Sequence, residues 1–137
     1  MDGREHLIIG FLFFIIIWIF IPIIRITDII IAIFISICPD VDLKFPKRLG
    51  HRSVWTHSII LPLILFIFQP MTMTVLFIVS FGLHCACDLR FKRIGGKYTI
   101  KIIKLGHTIG LDYDGSTVWL LGNFLFSLLI LIGWCLI

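Results

Sequence analysis

The chain has 137 residues, a formal net charge of +4, 59% hydrophobic residues, 15% charged residues and a mean hydropathy of +1.09. A soluble domain carries about 25% charged residues, and a 15.8 kDa globule has too little interior to hide this much apolar surface. A soluble enzyme, a secreted disulfide scaffold and a disordered tail are therefore excluded as readings, and lipid is the expected solvent for one domain over residues 1–137.

Charge-free runs mark the expected helices in chain order. Leu7 to Ile24 is 18 residues without Asp, Glu, Lys or Arg, about 27 Å as a helix. It lacks the small-residue cleavage pattern and the basic lead of a secretory signal. Ile29 to Pro39 is a shorter run. Its helix is expected from a cap at Thr27-Asp28 to Cys38, about 18 Å, either tilted or followed by chain buried at membrane depth. Ser53 to Cys87 is 35 residues without a charge, split at Gln69-Pro70, which reads as a tight hairpin of two helices. Lys92 to Leu105 admits two forms, a strand hairpin turning at Gly95-Gly96 or a short helix with Lys97, Lys101 and Lys104 as a basic stripe. Gly115 to Ile137 is the last run, 23 residues, with Asp114 or Ser116 placed to cap it. The fold class expected is an all-α integral membrane protein of about five transmembrane or membrane-embedded helices.

Ten of the twelve basic residues fall in two loops flanking the helical hairpin, at Lys44, Lys47, Arg48 and Arg52 and from Arg90 to Lys104. The positive-inside rule puts that face in the cytoplasm. The net charge then follows from topology, and no nucleic acid is expected as a partner.

Ionisable residues next to membrane spans are functional candidates by default. His6 precedes the first span. Asp40 and Asp42 follow the second in Cys-Pro-Asp-Val-Asp. His51 and His57 flank Arg52 in the run-in to the third, where His57 is expected to begin the helix. His84 and Asp88 close the fourth in His-Cys-Ala-Cys-Asp. By the expected topology all seven imidazoles and carboxylates sit at the cytoplasmic helix ends.

Their chemistry suits a metal. His84 and Asp88 are i and i+4, hence on one helix face. Asp40 and Asp42 point the same way if the backbone after Pro39 is extended. Mixed His/Asp ligation fits Zn²⁺ best, with Mn²⁺ or Fe²⁺ as other fits, and six or seven such groups suit two ions or one ion with outer partners. The expected ligands are His6, Asp40, Asp42, His57, His84 and Asp88. Each has a plain alternative: a hydrogen-bonded core histidine for His84, a cap for Asp88, a turn for Asp40 and Asp42, and a solvated side chain for His6. Their joint placement favours the metal. Arg52 is either a basic membrane anchor or a fork for an anionic substrate oxygen, and His51 a second candidate for a catalytic role. Ser53 and Ser58 read as turn and cap residues. His107, Asp112 and Asp114 are further candidate ligands, with a turn and helix cap as the plainer reading of Asp112-Tyr113-Asp114-Gly115. Cys38, Cys85, Cys87 and Cys135 read as small apolar residues, since no Cys-x-x-Cys spacing occurs, with Cys85 or Cys87 as a ligand the lesser alternative.

The motifs Glu5-His6-Leu7, Pro39-Asp40-Val41-Asp42, Gly50-His51-Arg52-Ser53 with Thr56-His57-Ser58, and His84 to Asp88 resemble the pattern of the YdjM-type family of inner-membrane, metal-dependent hydrolases, described as LexA-regulated. The resemblance covers residues 5 to 88 and departs after Asp88, where Phe91-Lys92 stands in place of a common Thr-Pro. It implies a hydrolase in the inner membrane with its site facing the cytoplasm.

The expected function is a membrane-bound, metal-dependent hydrolase that cleaves a phosphoester of a lipid or other membrane-partitioning substrate by metal-activated water. The alternative is a non-catalytic metal-binding membrane protein for transport, sensing or structure. The bilayer and a lipid-like substrate are the expected partners, with a homodimer as a further option.

Overall fold

The computed structural model describes residues 3–21, 24–39, 55–89, 101–104, 107–110 and 113–136. Among them are five helices and one two-stranded antiparallel hairpin: α1 (Gly3–Phe20), α2 (Ile26–Ile35), α3 (Ile60–Phe68), α4 (Thr72–Cys87), β1 (Lys101–Lys104), β2 (His107–Gly110) and α5 (Tyr113–Cys135). The five expected helices are all present. Differences lie at their ends.

Helix α4 is the axis of the bundle. It packs against α1, α2, α3 and α5, and ten of its residues, from Thr74 to Cys85, are buried. Two glycines let neighbours come close. At Gly82 a Cβ would lie 2.6 Å from the Ser127 Cβ on α5, so only glycine admits this approach. At Gly10 of α1 a Cβ would lie 2.8 Å from the Ser36 hydroxyl at the end of α2. Small residues at helix crossings serve this purpose where helices pack by shape rather than by water exclusion. Ser80 of α4 adds a direct bond, its hydroxyl 2.9 Å from the Ala32 carbonyl of α2.

The α3–α4 connection falls at Gln69-Pro70, as expected. Thr74 Oγ1 donates to the Gln69 carbonyl at 2.8 Å and accepts the Met71 N–H at 3.2 Å, which ties the turn to the first turn of α4. Pro62 lies in the first turn of α3, where its missing N–H breaks no helical bond.

Three expectations are corrected. Helix α2 spans ten residues rather than reaching from Thr27 to Cys38, and Arg25 is its N-cap, with no side-chain cap bond. The Thr27 hydroxyl faces Asp28 Oδ1 at 3.5 Å instead of a backbone N–H. Helix α5 begins at Tyr113, so Asp114 sits in the first turn, where a carboxylate complements the helix dipole. Lys101 and Lys104 lie on β1, paired with Gly110 and His107, and form no helical stripe. Gly95-Gly96, the expected turn, lie outside the described residues.

The outer faces are apolar. Phe20 is 80% exposed, Phe68 78% and Val118 72%. Among the described residues one helix, Asp114–Cys135, is long and apolar enough to cross a membrane by length and composition; the apolar stretches of α1, α2 and α4 are shorter.

Candidate metal centre

The chain direction of the five helices brings four polar side chains to one end of the bundle. His6 closes the first turn of α1. His84 is in the last turn of α4, and Asp88 is that helix's C-cap. The Asp88 N–H bonds back to the His84 carbonyl at 3.1 Å, so the i, i+4 relation survives past the helix end. His57 stands in the turn before α3 rather than inside it, which corrects the expectation that it begins the helix. Ser58 serves as a turn residue, its hydroxyl accepting the Ile60 N–H at 3.2 Å, while Ile59 is the N-cap of α3 with no side-chain cap bond.

All four are buried: His57 is 0% exposed, His6 and His84 1%, and Asp88 4%. The rings of His6 and His84 stack, with centroids 4.1 Å apart and planes 17° from parallel. His57 meets His84 edge-on at 5.1 Å. Asp88 presents one oxygen to each outer ring, with Oδ1 3.5 Å from His6 Nε2 and Oδ2 3.4 Å from His57 Nε2.

The tautomer of His84 follows from its neighbour. Its Nδ1 is 2.8 Å from the Ser36 carbonyl, and a carbonyl only accepts, so Nδ1 carries the proton and donates. The lone pair is then on Nε2. A backbone carbonyl holding one ring nitrogen while the other is offered as ligand is the usual outer arrangement of a metal-binding histidine. His57 Nδ1 is 3.1 Å from the Thr56 hydroxyl, which likewise places its Nε2 toward Asp88.

Helix α5 fixes the His57 segment through two residues that sequence reasoning passed over. Trp119 Nε1–H donates to the His57 carbonyl at 2.9 Å. Asn123 Oδ1 accepts the Ile59 N–H at 2.9 Å, while its Nδ2 donates to the Trp119 carbonyl at 2.8 Å. A Trp and an Asn within a long apolar run were the available signal.

His6, His84 and Asp88 each offer one ligand atom, and these lie within 4.8 Å of one another, so the group can hold a metal ion. The donor set fits the ion. Two ligand atoms bound to one tetrahedral zinc lie about 3.3–3.4 Å apart, from bond lengths of about 2.0–2.1 Å. The spacings of 3.4 and 3.5 Å around Asp88 are close to that edge. They exceed the roughly 2.7–2.9 Å of a charge-assisted hydrogen bond between imidazolium and carboxylate.

Of the six expected ligands, His6, His57, His84 and Asp88 converge. Asp40 and Asp42 lie outside the described residues, as do His51 and Arg52. Asp114 is exposed, as are Cys38 and Cys135, and all four cysteines are unbridged. No family model, curated protein or solved structure matches the chain.

Proposed function

We propose that the chain is an integral membrane, metal-dependent hydrolase of the YdjM type that cleaves a phosphoester in a membrane-partitioning substrate. The observation that carries this reading is the Asp88 carboxylate set between two buried imidazoles at ion-sharing distance, with His84 stacked on one of them. A hydrogen-bonded staple has no need of two imidazoles on one carboxylate with a third packed against both. Burying such groups is unfavourable unless they are bonded or bind a cation.

Zinc is the proposed ion, because imidazole and carboxylate ligands at a tetrahedral edge suit it, and Mn²⁺ or Fe²⁺ would bind the same donors. When bound, the ion would lower the pKa of a water and polarise the bond to be cut. Asp88 faces His6 through one oxygen and His57 through the other, so its carboxylate would be available to hold an ion with either ring. Asp40 and Asp42 are proposed to complete the set, and Arg52 to neutralise charge developing on a phosphoryl oxygen. His51 is proposed as a proton carrier beside it.

The membrane reading rests on the apolar outer faces of α1, α3 and α5, and the inner-membrane, cytoplasm-facing orientation on the basic loops. The burial of the three imidazoles favours a second reading, a closed and non-catalytic metal site. One experiment separates the two. Purified protein is assayed for bound metal and for hydrolysis of lipid phosphoesters, with and without chelator. Bound zinc with chelator-sensitive turnover supports the hydrolase. Bound zinc without turnover supports the closed site. Protein that folds and takes up no Zn²⁺ or Mn²⁺ overturns both.

A further inference from the structure

The geometry points to a binding groove for one alkyl chain of a membrane phosphoester, running between α3 and α5 away from the metal centre. The inference deepens the hydrolase reading by naming where the substrate's apolar part lies, and it rests on that reading only for the phosphate end. The groove encloses about 540 Å³ and is walled by Ile59, Leu63, Val118 and Phe126 over a floor at Gly122. It starts at the site itself. Ile59 is two residues from His57, and Trp119, which lines the groove, holds the His57 carbonyl.

Its polar groups are already committed. Asn123 spends its oxygen on the Ile59 N–H and its nitrogen on the Trp119 carbonyl, and Trp119 spends its N–H on His57. What the groove offers an occupant is hydrocarbon. Its length also fits. From Trp119, which holds the His57 carbonyl, to Phe126 the α5 axis advances about 10 Å, within the roughly 15 Å of half a bilayer's hydrocarbon core. One chain of one leaflet lies along it with its polar end toward the His57 segment. The floor is open, since a Cβ at Gly122 would meet nothing within 4 Å. A side chain there extends into the groove without displacing protein.

The test uses full-length protein in phosphatidylcholine nanodiscs and dodecyl phosphate carrying a diazirine in its chain, with labelled residues mapped by mass spectrometry. Label is expected on Ile59–Leu63 and Val118–Phe126, and Gly122→Phe is expected to lower it about tenfold. Gly133→Phe is the control, because a Cβ at Gly133 also meets nothing within 4 Å and the position lies outside the groove. Equal labelling of the apolar groove between α1 and α2, at Phe11 and Phe34, would overturn the inference. So would equal labelling of the two glycine variants. Metal content, measured on the same samples, keeps the two ideas apart: groove-confined label in protein that binds no metal would retain the groove and sink the hydrolase.

Discussion

The two ends of the bundle are built from the same helices and hold together by different means. At one end His6, His57, His84 and Asp88 are buried, and directional bonds from Ser36, Thr56 and Trp119 pin the rings or their backbone. At the other, Ile21, Ile24, Val75, Leu76, Leu131 and Trp134 surround an apolar cavity of about 330 Å³, and Phe66 meets Trp134 edge-on at 5.9 Å. The apolar end leaves space and, beyond the Thr74 bonds that tie the Gln69-Pro70 turn, keeps its shape by contact. The polar end carries groups that are unfavourable to bury and fixes the angle of each one. Burial without looseness, at one end of the described bundle, separates chemistry from packing in a protein whose outer helix faces are apolar.

The sharpest way to break this contrast is at Asp88. Asp88→Ala and His84→Ala should each remove nearly all bound metal, while the exposed Asp114→Ala keeps it, all read by elemental analysis. Equal loss in the three variants would end the distinction between site and surface. Acidification should release the ion from the wild type, because each imidazole ligates only in its neutral form and protons compete for it.

A second test strikes between the ends. Gly82→Ala sets a Cβ 2.6 Å from the Ser127 Cβ and should destabilise by about 1–3 kcal/mol, the usual range for overpacking. Thermal unfolding should show the loss, and adding Ser127→Gly should recover most of it. Next in size, Trp119→Phe deletes the N–H that holds the His57 carbonyl. Outer partners of metal ligands are worth about 10–100-fold in affinity, so zinc titration should give about tenfold weaker binding with little change in melting temperature. The smallest effect belongs to the apolar end. Phe66→Leu should cost about 1 kcal/mol from the lost ring pair and leave metal affinity unchanged. Weaker metal binding there would show that the two ends are not independent.

Much of this was readable from residue order. Five helices followed from charge-free runs, and the Gln69-Pro70 break from proline chemistry. His84 and Asp88 followed from their spacing, which persists because the Asp88 N–H still bonds to the His84 carbonyl. His6 had little in the sequence to separate it from a solvated side chain beside Glu5. It proves 1% exposed and stacked on His84, because its partners reach it only through packing. The Ser36 contribution was not legible at all, since it is made by a backbone carbonyl, and any residue type carries one. Trp119 read as another apolar span residue, though its indole N–H does the positioning. The expected cap at Thr27-Asp28 failed for a local reason: the threonine hydroxyl faces the neighbouring carboxylate. Strands were legible as one of two forms for Lys92 to Leu105, of which Lys101–Lys104 is described as β1, and the Gly95-Gly96 turn lies outside the described residues.

Helix α2 acts as a ruler. Its ten residues set how far the Ser36 carbonyl travels before it meets His84, and Gly10 grips Ser36 from the other side. One inserted residue would advance that carbonyl by about 1.5 Å and swing it by about 100°, away from the ring it holds. Composition along α2 can drift among apolar residues, but its length cannot. Insertions should be borne near Gln69 and Pro70, where the chain is exposed, and refused between Ile26 and Ser36.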